Sequence, residues 1–442
     1  MLVLKLRSPV AALAAGLLVL TTAWLLFFRV ETVWSVESEV VVAGRWGVAE
    51  GEFGRATGAD GRLRGPQAVA VDGAGNVAVA DSLNGRVQVF SPEGELLGVI
   101  RVPEGRTAVL PAHAERAAAH GLLEACLAWG PGFRPRPDLP GPAAAAPAQA
   151  EVPAAARPGF LYVTDIDLSG GSWRVDRRSG RLDPASGPRL HLLAGWEGTV
   201  ITMDITGVVH RRLDLLPSGR AAAAPGYVLD IDAFPDGDLV VFGYVLPEEG
   251  LVQFVRLVEA SAVEAVDLCS VTIRRDGSVT VDEDLPVRLD VESVAAGHDG
   301  LLYLAAAPAA PPPAGAPGGG PGGASPFSRQ VWVFSRRGKA EGRFRLDCEG
   351  YTLYLRLLGT SGRGLVFARL GSGRSPGMIC LFDRKGTMLL RLPLPAEAVE
   401  VADVYLTAAG VLYVSVADDE GYRVLRYRVG GSLKPVPRWG GR

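Results

Sequence analysis

Cysteine, histidine and lysine are scarce in this chain. Four cysteines and five histidines occur in 442 residues, and Lys5, Lys339, Lys385 and Lys434 are the only lysines among 45 basic residues. Cys126, Cys269, Cys348 and Cys380 are far apart, with no CxxC or Cys/His ligand spacing. That argues against a zinc site and a dense disulfide framework, and leaves buried free thiols as the simplest reading. An excess of one charge is also missing: 45 Lys+Arg face 48 Asp+Glu, for a net charge of −3. Neither a basic nucleic-acid-binding chain nor an acidic disordered one fits that balance. No G-x-S-x-G elbow, HExxH pair or P-loop is present. Gly73-Ala74-Gly75 is a turn and no phosphate cradle, because no helix follows it. His113 and His120 are seven apart without a third ligand nearby, His210 falls on a predicted strand and His298 in a turn. His191 completes the set. With no catalytic constellation in view, the sequence reads against an enzyme.

Apolar residues are plentiful, at 48%, and Gly and Pro number 56 and 32. That is about a fifth of the chain, under the roughly 25–30% of low-complexity sequences. One long hydrophobic run stands out. Residues 9–28 carry no charge, Lys5 and Arg7 precede them, and Arg29 follows. A membrane span needs about 20 apolar residues. The run ends in Trp24-Leu25-Leu26-Phe27-Phe28 without a small-x-small cleavage site. The expectation is an uncleaved, single-pass signal anchor with a cytoplasmic tip over 1–30. Everything beyond would then lie on the extracytoplasmic side of the cytoplasmic membrane, which disfavours nucleic acid as a partner.

The rest of the chain repeats. Gln67-Ala68-Val69-Ala70-Val71 alternates as a strand, Asp72-Gly73-Ala74-Gly75-Asn76 turns, and Val77 to Asp81 forms a second strand. Arg86 to Phe90 and Glu95 to Ile100 follow after further glycine turns. Four strands with tight turns make one propeller blade. Glycine-led copies of the second strand recur at 159–165, 237–242, 300–304, 364–368 and 410–414. Third-strand copies recur at 331–338 and 379–386, with weaker ones at 200–207 and 424–431. In the third unit, 251–258 and 270–277 compete for that place. The last unit supplies three strands, and Glu39-Val40-Val41-Val42-Ala43 would complete it as the outer strand. A lone four-stranded sheet cannot bury both faces, whereas radial packing does. The prediction is an all-β, six-bladed β-propeller over 31–434, with seven blades as the alternative and a tail over 435–442.

Gly65-Pro66-Gln67-Ala68-Val69-Ala70-Val71-Asp72, Gly75 to Asp81 and Asn84-Gly85-Arg86-Val87-Gln88-Val89-Phe90 together resemble an NHL repeat. Gly44-Arg45-Trp46-Gly47 and Gly51-Glu52-Phe53-Gly54 look like the lead-in of such repeats. The resemblance covers about 40–100. With the anchor, it suggests the membrane-anchored bacterial type of NHL-repeat β-propeller. It implies a propeller that binds other molecules, without fixing a function.

Insertions are expected at about 103–158, 166–198 and 305–329, all decorating one face as the interaction surface. Residues 112–129 read as a short helix, and 131–158 and 305–323 as Pro/Ala- and Pro/Gly-rich tethers. Carboxylates cluster at Asp165 and Asp167, Asp230 and Asp232, Asp282 to Asp284, and Asp418 and Asp419. Asp72 and Asp81 read as turn caps. Propellers of the gluconolactonase kind hold calcium in their channel, which makes Asp230 and Asp232 the metal candidates and calcium the one cofactor to consider. No residue is assigned a catalytic role. The resulting expectation is a membrane-anchored, extracytoplasmic scaffold for a cell-envelope protein or a small extracellular ligand. The alternative is a propeller hydrolase or lyase with a divalent metal in its channel.

Overall fold

Short Val-, Leu- and Phe-rich runs between glycine turns pair as antiparallel strands, because β-branched and aromatic side chains suit a pleated surface buried on both faces. A computed structural model describes residues 17, 28–57, 63–103, 163–176, 179–184, 187–194, 198–216, 226–245, 247, 250–261, 265–274, 278–289, 291–306, 328–347, 354–371, 377–395 and 400–437. The first strand is β1 (Phe28–Arg45), and a short pair, β2 (Ala56–Thr57) and β3 (Leu63–Arg64), follows. Blade one is β4 (Val69–Val71), β5 (Val77–Asp81), β6 (Arg86–Phe90) and β7 (Leu96–Arg101). Blade two is β8 (Asp165–Ser169), β9 (Arg189–Ala194), β10 (Thr199–Met203) and β11 (Val209–Asp214). Blade three has β12 (Gly226–Ala233), β13 (Leu239–Val245), β14 (Gly250–Val258), β15 (Val266–Arg274) and a fifth strand, β16 (Val279–Val281). Blade four is β17 (Val291–Ala296), β18 (Leu302–Ala306), β19 (Ser328–Phe334) and β20 (Ala340–Asp347). Blade five is β21 (Tyr354–Thr360), β22 (Val366–Gly371), β23 (Met378–Phe382) and β24 (Met388–Pro393). Blade six is β25 (Glu400–Leu406), β26 (Val411–Ala417) and β27 (Gly421–Pro437), with β1 as its outermost strand. Six blades, not seven, form the propeller, and the N-terminal strand closes the ring as expected.

The chain divides into two compact units, Ser38–Tyr427, which holds the propeller, and Met1–Glu37 with Arg428–Arg442. In the second unit, the Ser35 Oγ donates to the Gly430 carbonyl. In the propeller, neighbouring blades share their cores. Val87 and Val89 of blade one pack with Leu190, Leu192 and Ile201 of blade two. Leu251 and Val255 of blade three pack with Val294 and Leu304 of blade four. Each fully buried Val or Leu contributes about 1.5–3 kcal/mol, so the interfaces hold the ring together. The recurring turn glycines have a steric cause. Gly75 has φ +88° and closes its turn onto the Asp72 carbonyl. A Cβ on Gly386, at φ +83°, would stand 1.8 Å from the Arg345 carbonyl oxygen.

The NHL-like residues have a specific task. Arg86 donates from Nε to Asp81 (2.9 Å), from Nη1 to the Val48 carbonyl (3.0 Å), and from Nη2 to the carbonyls of Ala49 (2.7 Å) and Glu52 (2.8 Å). Asn84 donates to the Gly47 carbonyl, Gln88 to that of Glu52, and Gly54 N–H to Asp81. These side chains therefore hold the loop that follows the closing strand. Trp46 in that loop donates to the Asp418 carbonyl of blade six. Asp81 is thus a loop anchor and no turn cap.

Three expectations are corrected. First, among the described residues no helix is long and apolar enough to cross a membrane. Residues 9–28 lie outside the described residues except Leu17 and Phe28, and Phe28 opens a strand. The transmembrane anchor, the membrane-anchored subtype, the single-pass extracytoplasmic placement and the envelope partner that followed from it are withdrawn. Second, 159–165 is no second strand: Asp165 begins the innermost strand of blade two, and β9 is the second. The apolar run before Asp165 imitates the repeat, while the glycine lead of the true second strand is Gly187, two residues before β9. Third, the insertions do not all spring from one face. The β8–β9 connection leaves the end of the blades where the first turns lie. The link from β7 to β8 and the link from β18 to β19 leave the opposite end. Residues 112–129, 131–158 and 307–323 lie outside the described residues.

Candidate functional site

The innermost strands run side by side around a central channel without a shared ladder, so their N–H groups need other acceptors. Aspartates and a serine supply them. Asp165 accepts from Ile231 N–H (3.2 Å), Asp167 from Ala233, Asp232 from Ala296 (2.7 Å), Ser293 from Leu357 (2.8 Å) and Asp403 from Val69 (3.1 Å). Each of these bonds joins one blade to the next. Their cost is a concentration of carboxyl groups in a confined space.

A cavity of about 270 Å³ opens where the inner strands end, lined by Asp165, Asp167, Asp230, Asp232, Arg356 and Tyr405 among others. Arg356 on β21 donates to Asp230 (2.9 Å) and Asp403 (3.0 Å), and lies 3.8 Å from Asp165. Burial pushes Asp165 well above the usual carboxylate range, and the neighbouring Asp230 charge, to which it hydrogen-bonds, adds to the rise. Asp167 and Asp232 form a second hydrogen-bonded pair. Burial raises Asp167 to about 6, against the lowering effect of the N–H groups of Ala233 and Leu168. Burial, then the Asp167 charge, raises Asp232 well above its ordinary value. Two carboxyls this close share one proton. The Tyr405 hydroxyl donates to Asp167 at 3.0 Å, and burial together with Asp167 keeps it protonated. The channel thus offers a carboxyl pair holding one proton near neutral pH, a phenol and a guanidinium, which is equipment for general acid–base chemistry.

The structure brings Asp165, Asp167, Asp230 and Asp232 together. Asp282, Glu283 and Asp284 sit after β16, and Asp418 caps the β26–β27 turn through Glu420 and Gly421 N–H, away from the cavity. Asp72 caps its turn through Ala74 and Asn76 N–H, and also accepts Trp173 N–H from the β8–β9 connection at the cavity mouth. His298 reaches the mouth. His210 pairs with Asp204 at 2.8 Å. His191 is buried between Ser169 and Thr202, and burial pushes it down to about 4, so it is neutral. His113, His120, Cys126 and Cys348 lie outside the described residues, while Cys269 and Cys380 are buried thiols. Arg356, Asp403 and Tyr405 escaped the sequence reading. Their signal was polar residues two apart just before a turn glycine, as in Asp403-Val404-Tyr405.

The residues present do not fit a resident divalent cation. Such an ion needs six or more oxygens at about 2.3–2.6 Å. Here a guanidinium already joins Asp230 to Asp403 and lies 3.8 Å from Asp165, so these carboxyl groups have their positive partner. Among the described residues no group of three or more His, Cys, Asp or Glu is placed to hold a metal ion.

The NHL repeat model matches residues 63–90. No curated protein matches the chain. A gluconolactonase from Xanthomonas campestris is similar in fold, at 13% identity and TM-score 0.40, over 89% of this chain and 99% of that one. A virginiamycin B lyase from Staphylococcus aureus matches at 8% identity and TM-score 0.36, over 89% and 99%. The calcium-binding protein regucalcin from Agrobacterium tumefaciens matches at 11% identity and TM-score 0.41, over 84% and 90%. A calcium-binding protein therefore occurs among structures of similar fold. The reading against an enzyme rested on a missing catalytic constellation, and the channel supplies one. That reading and the scaffold built on it are withdrawn.

Proposed function

We propose that this protein is a propeller hydrolase or lyase acting on a small, neutral, oxygen-rich substrate in its channel. The supporting observation is the Asp167–Asp232 pair, two carboxyls with one proton beside the Tyr405 hydroxyl at the cavity wall. The cavity is close to the lower end of the roughly 300–1,000 Å³ usual for ligand pockets, so the substrate is small. In hydrolysis of a cyclic ester, the ionised carboxylate takes a proton from the water that attacks the carbonyl carbon. The shared proton passes to the oxygen released when the carbon–oxygen bond breaks. The pair ends with the same number of protons, ready for another cycle. Tyr405 keeps Asp167 oriented by its hydrogen bond.

The test is turnover of sugar lactones and other cyclic esters by the full chain. Activity is expected to follow a group titrating near pH 6, and Asp232→Asn to lower kcat/KM by about 10²–10⁴-fold. No turnover across the panel, or turnover untouched by Asp232→Asn, would overturn the reading. A calcium ion held by Asp230 and Asp232 is the competing version of this site. Calcium-dependent turnover of the unmodified chain would favour it.

A further inference from the structure

Three inner strands from three blades turn carboxylates toward one point: Asp165 from β8, Asp230 from β12 and Asp403 from β25. A fourth strand, β21, answers with Arg356, flanked by buried Leu355 and Leu357. Its guanidinium is 2.9 Å from Asp230, 3.0 Å from Asp403 and 3.8 Å from Asp165. Carboxylates gathered this closely need a positive partner. A divalent ion is one solution. A guanidinium is another, since it is always charged and presents five N–H donors in a plane. We infer that Arg356 is the built-in cation of this channel, standing where a divalent metal would otherwise sit, so that the site is metal-independent. Its removal should leave a divalent-cation site behind.

The second half follows from how the carboxylates are held. Asp165 keeps its orientation through the N–H groups of Ile231 (3.2 Å) and Ile166 (2.9 Å). Asp403 keeps its own through Val69 (3.1 Å) and Val404 (2.8 Å). Neither needs the guanidinium to stay aimed at the channel. Without Arg356 they and Asp230 would face each other with room for an ion and water between them. A hard, oxygen-seeking cation is what such a set takes.

The inference does not depend on the catalytic reading, because cation uptake is measured without substrate. The full chain, Arg356→Ala and Arg356→Met are freed of metal by chelation and titrated calorimetrically with calcium chloride, with melting followed in parallel. The unmodified chain is expected to take up no calcium saturably and to melt at the same temperature with and without it. Both variants should melt lower without metal, recover at millimolar calcium, and bind it with Kd on the order of 0.1–1 mM. Arg356→Lys, which keeps the charge, should gain no site, and Asp230→Asn added to Arg356→Met should abolish the new one. Saturable calcium binding by the unmodified chain that Asp230→Asn removes would overturn the inference. So would a folded Arg356→Met protein that binds calcium no better than the unmodified chain. If Arg356→Ala fails to fold, Arg356→Met, which keeps the volume, decides.

Discussion

At the floor of the channel, Asp167 releases its proton with difficulty, because burial removes the water that would solvate its charge. Its value of about 6 in the fold stands against 3.8 for the free side chain. The sign follows from linkage. Below pH 3.8 the group is protonated in both states and costs nothing. As pH rises toward 6 the unfolded chain gives up its proton first, so stability falls, by up to about 3 kcal/mol for this group. Asp232→Asn supplies an N–H for Asp167 in place of the shared proton, and its carbonyl still accepts from Ala296. Melting between pH 4 and pH 9 should show a gain for the variant that opens above about pH 4 and goes on growing past pH 6, because Asp232 in the parent fold keeps a proton that the unfolded chain has lost. Equal slopes for variant and parent would show that the pair shares no proton. The same substitution is expected to lower kcat/KM by about 10²–10⁴-fold while it raises stability, which separates a chemical role from a structural one. His191 acts in the opposite direction. Held neutral down to about 4, it costs stability as pH falls from 6.5 toward that value. Between pH 4 and pH 6 the two effects therefore oppose each other.

Among the elements, the first blade carries the clearest motif because its polar residues hold a loop. Asp81, Asn84, Arg86 and Gln88 face residues 47–54, the chain that links the closing strand to blade one. This explains why the third strands at 331–338 and 379–386 keep the repeat's turns but not these polar residues. Arg86 and Asp81 are almost fully buried, at 8% and 1% exposure. Arg86→Ala would take the guanidinium away from the buried Asp81 carboxylate and from the Val48, Ala49 and Glu52 carbonyls. A buried ion pair broken on one side costs about 3–5 kcal/mol, which denaturant unfolding should register. Arg86→Ala with full stability would mean that the loop is held by Asn84 and Gln88 alone. Most strands were legible because alternation and turn glycines are local. Blade two was not, since Asp165-Ile166-Asp167-Leu168-Ser169 alternates aspartates with apolar residues, unlike the apolar runs that mark the repeat elsewhere. Its polar positions face the channel, and a separate connection splits it from β9.

For the whole propeller, closure is the decisive event. Val42 is 1% exposed and packs with Phe53, Val69 and Tyr422, uniting β1 with blades one and six. Val42→Asp would bury a charge without a partner, at a cost of several kcal/mol. Because each blade's core is completed by its neighbour, thermal unfolding is expected to remain a single transition at lower temperature. A separate early transition would instead mean that blade six opens alone. The amino-acid sequence by itself determined the strand type, most turn positions and the strand that closes the ring, and narrowed the blades to six or seven, because alternation and turn chemistry act over a few residues. It also suggested an anchor that the described residues do not bear out, since an apolar run states hydrophobicity and not the structure it enters. Only the tertiary structure decided the site. Asp165, Asp230, Arg356 and Asp403 are scattered over some 240 residues, and ring closure alone brings them within reach of one another. Burial then raises the Asp165 carboxyl, which would otherwise be fully ionised, and closure surrounds a guanidinium with acids from three blades.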